Sequence, residues 1–374
     1  MKIIFLSLIL FTSYVDSRSQ TRQRARDYGI KIGVLTPGKE NAITDVSGVK
    51  VGHTTINRDN IRTGVTAIVP HPGNVFQQKV PAAIFVGNGF GKLAGTTQVI
   101  ELGNLETPIV LTNTLNVSTA MEGVIEYTLT QSGNEEVRSV NAVVGETNDG
   151  GLNDIRGRHV KKEDVINAIK TAATGRVAEG NVGAGTGTIC FGFKGGIGTS
   201  SRILPASSGG YTVGVLVQTN FGGVLQIDGV PVGEALGDYF MSKNGKADGS
   251  CMMVVATDAP IDARNLERLA KRAFMGLAKT GGIAANGSGD YVIAFSTAEV
   301  NRVSYSYKQP LQDISVLMND ELSALFMAAI ESTEEAIINS MFKAETMTGN
   351  NLTIKALPID EVISIMKKHN AIMN

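Results

Sequence analysis

Short β-branched and apolar runs, several of them ending in glycine clusters, leave this chain little choice but to build extended sheets. The runs are ITDVSGVKVGH (43–53), TGVTAIVPH (63–71), AAIFVG (82–87), VNAVVGE (140–146), TICFGFK (188–194), YTVGVLVQTN (211–220), CMMVVATD (251–258) and YVIAFST (291–297). Apolar residues at helical spacing predict helices over 118–131, 162–173, 262–279, 319–344 and 358–368. In the third of these Asp262 stands at the N-cap, and Leu266, Leu269, Phe274 and Leu277 form the expected buried face. Many strands with interspersed helices imply layered sheets covered by helices. The glycine clusters (86–95, 182–188, 192–198, 220–224 and 281–289) allow tight turns and close backbone approach. None of them follows the spacing of a dinucleotide or phosphate loop.

Several function classes fall away at this stage. A net charge of -1 and the lack of a basic stripe argue against a nucleic-acid partner. His53, His71, His159 and His369 show no metal-ligand spacing, so neither a metal nor a cofactor is expected. Cys190 and Cys251 are the only cysteines, which excludes a disulfide framework and points to two buried free thiols. Lys2, the apolar run IIFLSLILF (3–11) and the short polar residues after it have the order of a secretory signal. That run is too short for a stable membrane span. The expectation is an exported protein, periplasmic or secreted, with residues 1–20 removed and one catalytic domain from residue 21 to 374.

Segment 236–249 is a polar interruption between strong elements, where a chain can be cut without breaking its core. It ends at Asp248-Gly249-Ser250-Cys251, directly before an apolar strand. Taken alone, Gly-Ser is an ordinary loop ending. A serine hydroxyl nevertheless needs a base, and no histidine stands where it would pair with Ser250. A cut before Ser250 would create that base, because a free α-amine has a pKa of about 7.7–8.0. A thiol is the stronger nucleophile, but strand alternation turns Cys251 to the face opposite Ser250.

These motifs, together with NGFGKLAG, GETNDGGLNDIRGRHV (145–160), GAGTG, VQTNFG (217–222), DGSCMMVVATDAP and GSGDYVIAFSTA (287–298), resemble in order the self-processing L-aminopeptidase/D-esterase and β-peptidyl aminopeptidase family. The resemblance runs from about residue 28 to 370. It implies a four-layer αββα sandwich, like that of N-terminal nucleophile hydrolases but with different connectivity. It also implies a cut between Gly249 and Ser250, giving an α chain 21–249 and a β chain 250–374, and a homotetramer of processed pairs.

By the same resemblance Ser250 is the nucleophile, Asn220 the oxyanion donor, and Ser288 and Asp290 the groups that orient the nucleophile. Glu146 would meet the free ammonium of a short peptide, amide or ester substrate. Asn148 stands where some members carry a tyrosine, which favours the β-peptidyl branch. Each has a plainer alternative: Asn220 bonded to its own turn, Glu146 in a surface ion pair, Ser288 and Asp290 in a turn. The competing functions are α-amino specificity of the L-aminopeptidase/D-esterase type, acyl transfer like that of ornithine acetyltransferases, which use threonine, and an inactive binding homologue.

Overall fold

In the computed structural model, which describes residues 22–242 and 249–373, the β-branched runs pair into two large sheets. The principal strands are β1 (Lys50–Arg58), β2 (Ile61–Val69), β3 (Gln78–Gly89), β4 (Ile109–Asn113), β5 (Val143–Thr147), β6 (Ile197–Ile203), β7 (Thr212–Asn220), β8 (Ser250–Thr257) and β9 (Gly289–Ser296). The principal helices are α1 (Val117–Leu129), α2 (Lys162–Lys170), α3 (Ala263–Lys279) and α4 (Ser323–Lys343). The expected signal segment, and residues 243–248 of the polar segment before Ser250, lie outside the described residues.

One sheet runs β1-β2-β4-β5 and ends on Leu93–Ala94; the other runs β6-β7-β8-β9-β3. Each contains a parallel pair whose strands are joined through a helix, β4–α1–β5 and β8–α3–β9. Such a crossover places its helix on a sheet face. Period-2 alternation then sorts the apolar side chains into three layers. Met252, Val254 and Ala256 meet Leu111, Val143 and Ile68 between the sheets. Cys251, Met253 and Val255 face Leu266, Leu269 and Ile337 of α3 and α4. Val65, Ala67 and Val144 face Val124 and Val165 of α1 and α2 on the far side. The result is the four-layer αββα sandwich. Strand β8 is buried on both faces, so its sequence is continuously apolar rather than alternating.

Two expected strands are broken. ITDVSGVKVGH starts as a 3-10 turn (Ile43–Asp45) and becomes a strand only at Lys50. TICFGFK folds back on itself, pairing Ile189–Cys190 with Phe193–Lys194 through Phe191 and Gly192 at φ 51° and 81°. Strand β6 was not expected, because its middle residues, Gly198 to Arg202, are small or polar. Their partners come from distant segments: Ser200 Oγ donates to Asn41 Oδ1 at 3.0 Å and Ser201 Oγ to Asp45 Oδ2 at 2.7 Å.

Candidate active site

The last residue of β7 and the first of β8 are antiparallel neighbours, so Asn220 and Ser250 sit opposite each other at one end of the second sheet. Glu146 ends near the C-terminus of β5 in the facing sheet. A cavity of about 560 Å³ between them is lined by Ser250, Asn220, Glu146, Asn148 and Gly249. No histidine lines it among the described residues.

Ser250 shares the inter-sheet face with Met252 and is 5% exposed. The Gly289 N–H donates to Ser250 Oγ at 3.2 Å and to the Gly249 carbonyl at 3.2 Å. One amide therefore touches both the hydroxyl and the carbonyl that precedes it. A Cβ on Gly249 would stand 1.9 Å from the Asn220 carbonyl oxygen. Only glycine lets the chain pass the end of β7 there.

The Asn220 side chain is not bonded to its own turn. Its Oδ1 accepts from the Ile189 N–H at 2.9 Å, which fixes the amide and leaves Nδ2 as the free donor at the cavity wall. Glu146 is not at the surface but 3% exposed. Its Oε1 accepts from the Lys92 N–H at 3.0 Å and lies 3.9 Å from the Lys92 ammonium; its Oε2 accepts from the Thr114 hydroxyl. Burial raises the Glu146 pKa, and the bonds from Thr114 and Lys92 offset part of the shift. A carboxylate kept in that setting favours an incoming cation.

Asn148 is exposed on the cavity wall and uses Oδ1 to accept from the Gly150 N–H at 3.0 Å. Ser288 and Asp290 are 1% exposed and do not line the cavity. In the ladder Gly289 stands beside Ser250, and Asp290 beside Cys251. The Ser288 hydroxyl and both Asp290 carboxylate oxygens are buried without a hydrogen-bond partner. Burial pushes the Asp290 pKa up to about 6, partly offset by the nearby Ser288 hydroxyl and Cys251 amide. Cys251 faces the helix layer, as alternation requires, and burial raises its thiol well above the ordinary range. Cys190 and Cys251 are both buried and free.

Sequence reasoning missed Lys92 and Thr114, which hold Glu146, and Ile189, whose backbone holds Asn220. It also missed the apolar walls, Phe90, Phe221, Leu352 and Ile354, and the carboxylate of Asp238. Lys92 and Phe90 lie inside the NGFGKLAG motif, Phe221 inside VQTNFG and Ile189 inside TICFGFK, which were usable signals; Thr114, Asp238, Leu352 and Ile354 come from segments with no distinguishing pattern.

A sheet sandwich that brings a serine, an amide donor and a buried carboxylate to one mouth suits acyl-transfer chemistry, and comparisons with known proteins give the class. The model of peptidase family S58 matches residues 41–354. The β-peptidyl aminopeptidase BapA of Sphingosinicella microcystinivorans is 42% identical, over 98% of this chain and 97% of its own length. Two solved structures superpose closely. The PH0078 protein of Pyrococcus horikoshii OT3 has a TM-score of 0.87 at 50% identity, over 93% of this chain and 99% of that one. The L-aminopeptidase D-Ala-esterase/amidase of Ochrobactrum anthropi, described as a variant of the Ntn hydrolase fold, has a TM-score of 0.87 at 36% identity, over 95% of this chain and 100% of that one. This chain belongs to peptidase family S58 and is an aminopeptidase.

Proposed function

We propose that the chain cuts itself between Gly249 and Ser250 and then releases N-terminal residues from short peptides or amides through an acyl-enzyme on Ser250. The observation that carries this reading is the convergence of Ser250, Asn220 and the buried Glu146 on one cavity. In self-cleavage Ser250 Oγ adds to the Gly249 carbonyl carbon and the C–N bond breaks as the nitrogen takes the proton. Water then hydrolyses the resulting ester. The freed α-amine takes the hydroxyl proton during attack on substrate and returns it to the leaving amine. Asn220 Nδ2 donates to the oxyanion, and Glu146 receives the substrate's ammonium.

The name of the Sphingosinicella relative and the presence of Asn148 rather than tyrosine support β-amino residues as the released group. The order of residues in segment 1–20 supports export to the periplasm or medium. The exposed side chains of Tyr307, Leu311, Ile314 and Met318 on one extended segment support assembly, which we propose to be a homotetramer of processed pairs.

Intact-mass analysis and N-terminal sequencing test the reading. Two chains are expected, the second beginning at Ser250. Ser250→Ala is expected to stay uncut and to lose turnover; wild-type turnover in that variant would defeat the mechanism.

A further inference from the structure

Lys194 is one of the largest fully buried side chains, at 0% exposure, and no carboxylate pairs with it among the described residues. Its Nζ donates instead to two backbone carbonyls, Gly185 O at 3.0 Å and Gly195 O at 2.8 Å. An ammonium buried against neutral acceptors is costly, so the fold retains it at the expense of stability. Burial lowers its pKa to about 7, with Cys190 and Asp149 the groups pulling the other way.

One of the segments that the ammonium ties down holds the oxyanion donor. Lys194 is the cross-strand partner of Ile189, whose N–H holds Asn220 Oδ1 at 2.9 Å. Gly195 and Gly196 brace the preceding residue of β7: a Cβ on Gly195 would stand 2.7 Å from the Thr219 carbonyl oxygen, and the Thr219 N–H donates to Gly196 O at 3.0 Å. Gly185 belongs to the 3-10 turn Gly183–Gly185, the other side of the clamp.

We infer that Lys194 is a positioning residue for the oxyanion donor, its ammonium tying the Ile189–Lys194 hairpin, which holds the Asn220 amide through the Ile189 N–H, to the Gly183–Gly185 turn. The inference rests on Asn220 serving as that donor. Removing an oxyanion donor costs about 10²–10³ in kcat, and misplacing one by about an ångström costs up to roughly 10².

A double-mutant cycle on the processed enzyme tests it, with Lys194→Met, Lys194→Gln, Asn220→Ala and the combined variants assayed for kcat and KM separately. Lys194→Met is expected to lower kcat by about 10- to 100-fold with KM within about twofold, and Lys194→Gln, which keeps a donor, to lose less. In the Asn220→Ala background either Lys194 change should cost less than about threefold. Fully additive losses, or a fall carried by KM, would overturn the inference. Lys194→Gln runs through the same cycle, so coupling is read even where the methionine variant does not accumulate. An unchanged kcat in Asn220→Ala alone would instead defeat the donor assignment, which separates the two failures.

Discussion

At the scale of single residues, Glu146 shows how environment sets a role. Its two oxygens are held by Lys92 and Thr114 while burial disfavours the charge, so in its proposed role a substrate ammonium would gain more there than from an exposed carboxylate. Glu146→Gln keeps the shape and removes the charge. A charge-assisted hydrogen bond contributes about 1.5–3 kcal/mol, so kcat/KM on free-amine substrates is expected to fall by roughly 10- to 100-fold. N-acetylated analogues should change by less than about threefold, and paired assays on the two substrate types that show equal losses would remove the role. The residue type and motif of Glu146 were legible in the sequence; its burial was not. Asn220 teaches the same lesson, because the amide that fixes it belongs to Ile189, 31 positions away.

Among the elements, legibility followed apolar and amphipathic patterning: even β8, buried on both faces, reads as a strand from its continuous apolar run. Helix α3 has one face to the core and one to solvent, so its period was plain: Leu266, Leu269 and Leu277 are fully buried, while Phe274 is half-buried, edge-on to Phe85 with centroids 5.7 Å apart. The N-cap also stands where expected, with Asp262 Oδ1 accepting from the Asn265 N–H at 2.9 Å. Asp262→Ala is expected to cost about 1 kcal/mol, read as a lower urea midpoint at an unchanged slope, with activity kept. A midpoint equal to wild type would show that the cap contributes nothing. Helix α4, expected over 319–344 and found at Ser323–Lys343, is buried on nearly every side, its polar residues included, which its period alone did not show. Strand β6 is polar as well, since its side chains are satisfied inside the molecule.

For the molecule as a whole, the buried charges are the least expected feature. Arg202, fully buried, bridges Glu331 at 2.9 Å and Glu335 at 2.7 Å, and Arg26 also reaches Glu335 at 2.7 Å. This network fastens the N-terminal segment and β6 to α4. Lys194 has no such partner among the described residues, and its burial makes stability depend on pH. Its folded pKa of about 7 lies below the ordinary 10.5, so between those values the unfolded state binds more protons and stability rises with pH. Asp149, pushed up to about 7 by its own burial, contributes the opposite slope only below that pH. Urea titrations of wild type between about pH 7 and the ordinary thiol pKa of 9.0 should therefore show a gain, at most on the order of a few kcal/mol, while above it the buried Cys190 and Cys251 thiols, both pushed up by burial, contribute the opposite slope. Lys194→Met should flatten it, and a variant that keeps the wild-type slope would show that the lysine is not the source.

The sequence by itself determined the strand and helix periods, the polar approach to Ser250, the opposite facing of Cys251, and the ordered motifs of the family. Those are local properties, carried by alternation, helical spacing and residue type within a few positions. Only the tertiary structure decided that Asn220 is aimed by Ile189, that Glu146 is buried between Lys92 and Thr114, and that polar β6 and α4 lie in the core. Each of these depends on hydrogen-bond partners far away along the chain, and a buried polar group is stable only once the fold has brought those partners to it.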